Sequence, residues 1–155
     1  MKLIRIGPDG KEKPGIITED GRRLEVSTFG EDYDQDFFGS DGPQRLNNWL
    51  EHNFDSCPTV GEEVRLGPPI AQVSKIICVG LNYAMHAKEG GMDIPTEPIL
   101  FFKATTAICG PFDDVIIPKA STKTDWEVEL AVVIGKKGNY ISETDAVDHI
   151  AGYVL

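Results

Sequence analysis

Residues 125–135, reading Asp-Trp-Glu-Val-Glu-Leu-Ala-Val-Val-Ile-Gly, constrain the chain more than any other stretch. Residues 130–134 form an unbroken apolar run rich in β-branched side chains, which predicts a buried strand. The residues before it alternate, so that on an extended chain Trp126, Val128 and Leu130 project one way and Glu127 and Glu129 the other. Two residues along a strand span about 6.6 Å, so the spacing predicts two carboxylates side by side at the mouth of a buried element. Like charges at that range raise each other's proton affinity unless a positive charge compensates them. A hard divalent ion such as Mg²⁺ or Ca²⁺ does so through oxygen ligands. A solvated strand edge with acidic side chains facing water has the same pattern, and for an isolated Glu-x-Glu it is the commoner case.

Length sets the next bound. A chain of 155 residues suffices for one good-sized domain, or for a small module plus part of a larger one. Hydrophobic residues at 41% and charged residues at 26% are ordinary for a soluble globular protein. There is no apolar run of the length a membrane-spanning helix needs and no basic-then-apolar opening of the kind that directs secretion. The expectation is therefore a cytoplasmic protein with no membrane partner. Cys57, Cys78 and Cys109 are odd in number and lack a Cys-x-x-Cys spacing, which favours reduced thiols and disfavours a zinc site. A formal net charge of −10 disfavours nucleic acid, whose phosphates are met by Lys and Arg, and suits an acidic enzyme that holds cations.

Residues 1–30 read as a meander. Lys2-Leu3-Ile4-Arg5-Ile6 alternates, Pro8-Asp9-Gly10 turns, residues 15–18 form a second strand, Glu19-Asp20-Gly21 turns again, and residues 24–26 form a third. Residues 32–38 are acidic and aromatic and precede a break at residues 39–42. Residues 43–52 have helical spacing, with Leu46, Trp49 and Leu50 on one stripe and Asp41 or Gly42 near the N-cap. Residues 58–69 are extended and end in Gly67-Pro68-Pro69, the mark of a linker or boundary. The expected organisation is a small module over residues 1–70 and a second region over residues 71–155.

The second region is denser in chemistry. Residues 75–80 form a short apolar strand ended by Gly80, and residues 81–89 have helical propensity, terminated by Gly90-Gly91. His86 and Glu89 stand at i and i+3, neighbours on a helix. A carboxylate beside an imidazole orients the ring and raises its basicity, the construction of a general base. A surface His–Glu pair on a short helix is the plainer alternative. Residues 99–102 form another apolar strand followed by Lys103, which either reaches into a site or marks where the strand meets solvent. Residues 115–118 suggest a strand, residues 142–145 the cap of a short helix over 146–150, and residues 152–155 a further strand. Glycine-rich phosphate loops and Ser/His/Asp arrangements are absent, so nucleotide-binding and serine-hydrolase readings gain nothing.

Taken in order, Val79-Gly80-Leu81-Asn82-Tyr83, His86, Glu89, Pro98, Phe102-Lys103, the Asp-Trp-Glu-Val-Glu-Leu of residues 125–130, Gly135 and Ala151-Gly152-Tyr153 resemble the fumarylacetoacetate hydrolase family. Residues 1–69 look like the small N-terminal module of its bacterial members. Residues 106–111 and 123–130 look most like its sugar-acid branch, whose members are called ureidoglycolate lyase or 2,4-diketo-3-deoxy-L-fuconate hydrolase. The resemblance implies an α+β, β-rich fold, a fumarylacetoacetate-hydrolase-like β-roll preceded by a small N-terminal module, and a homodimer. It implies Mg²⁺ or Mn²⁺ held by three carboxylates, of which two match Glu127 and Glu129. The third, an aspartate, is expected a little beyond Gly152-Tyr153, so the roll is expected to be incomplete here and the chain to be a fragment or truncated product. The implied activity is metal-dependent hydrolysis of a C–C bond in a small-molecule 2,4-dioxo acid. In it His86 and Glu89 activate water, and Lys103, Asn82 and Tyr83 bind substrate. Decarboxylation or isomerisation of a related oxo acid on the same site, or an inactive fragment, are the alternatives.

Overall fold

The computed structural model describes residues 1–155. They fall into two compact units, Met1–Gln72 together with Cys109–Leu155, and Val73–Ile108. In the first, β1 (Lys2–Ile6), β2 (Lys13–Ile17), β3 (Arg23–Glu25), β4 (Thr59–Val60) and β5 (Leu66–Gly67) build an antiparallel sheet in the order β4-β3-β2-β1-β5. The three hairpin-linked strands are those the alternation predicts. The punctuated segment over residues 58–69 supplies both edge strands. Side chains alternate across the pleat: Leu3, Ile16 and Leu24 stand opposite one another on the face that packs on the core, whereas Ile4 and Ile6 are buried on the other face.

Two helices bear on this unit, α1 (Gln35–Gly39) and α2 (Gly42–Asn53). The acidic-aromatic stretch over residues 32–38, for which the sequence predicts no element, contributes most of α1. The Asp34 carboxylate caps it by accepting from the Asp36 and Phe37 amides, satisfying two of the orphan donors of its first turn. Asp41 precedes α2 in the left-handed region at φ 55° and makes no side-chain cap; Pro43 stands in the first turn, where its missing N–H costs nothing. Leu46 and Leu50 of the expected stripe are buried and Trp49 packs against the core from its margin. The core is Ile16, Leu24, Val26, Tyr33, Phe37, Leu46, Leu50 and Cys57. Each large apolar side chain buried there contributes roughly 1.5–3 kcal/mol. Phe37 is central, with edge or tilted ring contacts to Phe29, Tyr33 and Phe38.

In the second unit, β6 (Ile76–Gly80), α3 (Ala84–Glu89) and β7 (Ile99–Lys103) form a strand-helix-strand hairpin. β6 and β7 pair antiparallel with Ile76 opposite Lys103 and Gly80 opposite Ile99. Within the first unit, β8 (Ala131–Ile134) pairs antiparallel with β9 (Ile150–Val154), with a register irregularity at Val133/Ile134. No helix is long and apolar enough to cross a membrane.

Two expectations need correction. Residues 130–134 do yield a strand, but not a buried one: Leu130, Val132 and Ile134 are exposed, as are Leu100, Phe101 and Phe102 of β7. Each of these strands has a single ladder partner, and a two-stranded ribbon leaves apolar faces uncovered. Residues 115–118 form no strand, and Val115, Ile116 and Ile117 are exposed. The α+β, β-rich class stands.

Candidate functional site

The sharpest local feature is the corner between β6 and α3. Gly80 ends the strand against Ile99, where an added Cβ would lie 3.4 Å from the isoleucine Cγ2. Leu81 then turns the chain in the left-handed region at φ 53°. For an L-residue with a side chain that conformation costs about 1–2 kcal/mol, and strain of this kind concentrates where a backbone must aim side chains. Tyr83 is extended (φ −106°, ψ 117°) and serves as N-cap, so the helix begins at Ala84 and not at Leu81 as the propensities suggest. Ala87 is buried, which turns Met85, His86 and Glu89 outward. The helix stops as its sequence predicts. The Gly90 amide donates to the His86 carbonyl (3.0 Å), the Gly91 amide donates to that of Lys88 (3.1 Å), and Gly91 takes φ 66°.

Asn82, Tyr83, His86 and Glu89 therefore share one corner of one unit. His86 and Glu89 stand one helical turn apart with both side chains exposed, and no hydrogen bond joins imidazole to carboxylate. Lys103 lies on the same hairpin but across from Ile76, at the end of the ladder away from Gly80. That separation is roughly 13 Å of strand.

Glu127 and Glu129 belong to the other unit, in the Cys109–Leu155 part that joins Met1–Gln72. Both are exposed, and the expectation that they ride on a strand does not hold: residues 123–130 have no regular structure and the ladder opens at Ala131, opposite Val154. Without a partner strand the alternation of residues 126–130 has no pleat to express it. Asp125 instead turns its carboxylate onto the Trp126 amide (2.9 Å). As donors the two glutamates suit a hard divalent ion in kind, since they offer oxygen alone. They do not suffice in number, because no group of three or more His, Cys, Asp or Glu side chains that could hold an ion forms in the chain.

Sequence reasoning missed two features. One is the strained Leu81, whose only signal is its place between a strand-ending glycine and an Asn-Tyr pair. The other is Arg65, whose guanidinium forks onto Asp113 through Nε to Oδ1 (2.7 Å) and Nη2 to Oδ2 (2.6 Å). This bond holds Asp113 below the usual aspartate range, with the Gly110 amide assisting.

The sequence profile described as fumarylacetoacetate (FAA) hydrolase C-terminal matches residues 75–155, just over half of the chain. The chain belongs to the fumarylacetoacetate hydrolase family. A candidate hydrolase of Burkholderia lata is 47% identical over all 155 residues, which span 54% of that relative. One from Burkholderia ambifaria is 46% identical over the same span. Among solved structures, the fumarylacetoacetate hydrolase of the psychrophile Exiguobacterium antarcticum superposes with a TM-score of 0.75 at 29% identity, covering 99% of this chain and 53% of that one. An HpcE candidate from Mycobacterium smegmatis superposes with a TM-score of 0.68 at 30% identity, again over 99% and 53%. The fold is thus like that part of a fumarylacetoacetate hydrolase, and the chain spans about half the length of the curated relatives it matches.

Proposed function

We propose that this chain carries part of a divalent-metal-dependent site that hydrolyses a C–C bond in an acylpyruvate-type 2,4-dioxo acid. The observation that carries the reading is the strained β6–α3 corner. It presents an exposed His86 with Glu89 one turn on, beside Asn82 and Tyr83, inside the stretch that matches the family profile. Glu127 and Glu129 would hold Mg²⁺ or Mn²⁺ together with donors beyond these two. An ion there supplies Lewis-acid polarisation of the 2-oxo acid end.

The protein's own groups account for the remaining steps. His86 takes a proton from water, whose oxygen bonds to the distal carbonyl carbon. The bond from that carbon to the neighbouring methylene breaks, and its electron pair passes to the 2-oxo acid half as an enolate. The imidazolium proton returns to the former methylene carbon of that enolate, so the products are a carboxylic acid and a 2-oxo acid such as pyruvate. Glu89 steadies the imidazolium from the next turn, and neighbours at i and i+3 on a helix have Cβ atoms about 5–6 Å apart. Lys103 offers positive charge to a substrate oxygen, and Asn82 and Tyr83 offer hydrogen-bond donors that orient it. Decarboxylation and isomerisation of related oxo acids pass through the same enolate, so the product distribution separates the three reactions.

The same proposal includes a substrate from the sugar-acid group, on the strength of residues 106–111 and 123–130, and a cytoplasmic setting. It includes a division into residues 1–70 and 71–155, and a homodimer. Exposed Ile77, Leu100, Phe102, Val132 and Ile134 support association with a second copy, since a monomer seldom leaves so much apolar surface uncovered. The test is loss of enol absorbance across a panel of small acylpyruvates with Mg²⁺ or Mn²⁺, with and without EDTA. Turnover that EDTA abolishes supports the reading; a folded chain that neither binds the ion nor turns over any acylpyruvate overturns it.

A further inference from the structure

Residues far apart in sequence alternate in charge across the first unit. Arg5 forks onto Asp32 through Nε and Nη2, both at 2.8 Å, and its Nη1 lies 3.7 Å from Glu12. Glu12 also accepts from Arg65 Nη1 at 2.8 Å, and Arg65 closes the series with its fork onto Asp113. The middle of the series is shielded, with the side chains of Arg5 and Glu12 only 11% and 5% exposed. Arg65 is further seated by the Gly7 carbonyl (3.1 Å) and by Asp9 (3.6 Å). Since it immediately precedes β5, which pairs with Arg5 and Ile6 of β1, the guanidinium is fixed by the sheet itself.

What it grips is a tight turn. Asp113 Oδ2 accepts from the Gly110 amide (2.6 Å), and the Asp113 amide donates back to the Gly110 carbonyl (3.2 Å). Gly110 is buried against β5 so closely that a Cβ there would collide with the Leu66 carbonyl oxygen. The segment that follows carries Glu127 and Glu129, and its far end is pinned where Ala131 pairs with Val154.

We propose that Arg65 is a positioning residue. By clamping Asp113 onto the N-terminal sheet it fixes one end of residues 115–130, while the β8–β9 ladder fixes the other, and so restricts where Glu127 and Glu129 can go. The role assigned to the two glutamates rests on the function proposed above; the clamp itself does not. A planar guanidinium fork fixes both distance and direction of a carboxylate, which a lysine cannot do. Holding both ends of a loop removes much of the space it would otherwise explore.

Trp126 supplies the readout. It is 80% exposed, stands beside Glu127, and is one of two tryptophans. In a Trp49→Phe background it is the sole emitter, so its fluorescence anisotropy reports the mobility of this segment. The variants are Asp113→Asn, whose amide oxygen still accepts from Gly110 but loses the charge that Arg65 grips, and Arg65→Lys, which keeps charge without the fork. In both, amide exchange at Gly110 and at position 113 rises by about tenfold while β1, β2 and β3 keep their protection. Trp126 anisotropy falls, and Mn²⁺ binds several-fold more weakly. Unchanged exchange at Gly110 overturns the clamp, and faster exchange with unchanged Trp126 anisotropy overturns the positioning role. A parent chain that binds no Mn²⁺, combined with a fall in anisotropy in the variants, leaves the clamp standing and counts against the metal reading instead.

Discussion

Tyr33 Oη donates a 2.8 Å hydrogen bond to the Gly15 carbonyl from a fully buried position, tying the segment before α1 to the second strand of the sheet. A buried phenol is tolerated in a core only when its hydroxyl finds such a partner. Tyr33→Phe keeps the ring and removes the bond, at an expected cost of about 1 kcal/mol read from the urea midpoint. Tyr33→Ala also opens a cavity and is expected to cost about 3–5 kcal/mol. Burial, and then the Asp32 charge, push this phenol above the ordinary tyrosine value of 10.0. A raised value means the contribution is complete below the unfolded-state value and is lost as pH rises through the folded one. The parent therefore loses stability at alkaline pH more steeply than Tyr33→Phe does.

Acid works in the opposite sense. Burial raises the Glu12 carboxyl, but its hydrogen bond from Arg65, a backbone contact and the charges of Arg5 and Arg65 outweigh it and hold the group below the usual 4.5. Asp113 is held below the usual 3.8, chiefly by Arg65. Depressed carboxyls contribute stability above their unfolded-state values and lose it as pH falls through the folded ones. Urea midpoints are expected to be flat near neutrality and to drop once pH falls below those usual values. Asp113→Asn is expected to start lower and fall less. Equal acid slopes in parent and variant would contradict the depressed value of Asp113.

Gly110→Ala tests the packing of the turn on β5. The obstructing atom is the Leu66 carbonyl oxygen, which is backbone and cannot rotate away. The substitution is expected to cost roughly 1–3 kcal/mol in urea denaturation. Gly152→Ala on β9, where an added Cβ meets nothing within 4 Å, is the matched control and should leave the midpoint nearly unchanged.

How much of this was legible in sequence follows from the range of the forces involved. The Leu46–Trp49–Leu50 stripe and the hairpins of β1, β2 and β3 arise from local periodicity and turn residues, and they fold as they read. α1 escaped notice because its signal is one capping aspartate before a Phe-Phe pair, too short for a period to show. The apolar run at residues 130–134 predicts burial, yet β8 is exposed, as is the apolar run at residues 99–102. Composition states what a strand would gain from cover, not whether a partner is present to cover it. At the site, His86 and Glu89 fall one turn apart as their spacing requires, whereas Glu127 and Glu129 needed a ladder partner that no pattern could promise. The Arg65–Asp113 fork joins residues 48 apart, and nothing local announces it.

The two halves of the proposed chemistry separate by substitution. His86→Ala removes the group that takes a proton from water and leaves every candidate ion ligand in place. Turnover of an acylpyruvate is expected to fall by about 10²–10⁴-fold with Mn²⁺ binding unchanged. Glu127→Gln or Glu129→Gln leaves His86 intact and is expected to lose ion binding and turnover together. Calorimetric titration with Mn²⁺ beside the enol-absorbance assay distinguishes the two patterns. Full turnover in both glutamine variants would remove these carboxylates from the mechanism.

Leu81 offers the most discriminating substitution, because its side chain and its backbone make opposite demands. Leu81→Gly relieves the left-handed cost of about 1–2 kcal/mol but restores unfolded-state freedom worth about 0.5–1 kcal/mol, so the melting temperature should barely move. Leu81→Val has no such escape, since a β-branched residue at positive φ is a genuine outlier. The corner must then rearrange, and α3 loses its first hydrogen bond, from the Ala87 amide to the Tyr83 carbonyl (3.1 Å). If the corner exists to aim α3, Leu81→Val loses amide protection at Ala87 and acylpyruvate turnover together. Leu81→Gly keeps both in part, in proportion to how firmly Gly80 and Tyr83 still hold the turn. A valine variant with a protected Ala87 amide and full turnover would show that the left-handed turn is incidental to the placement of His86.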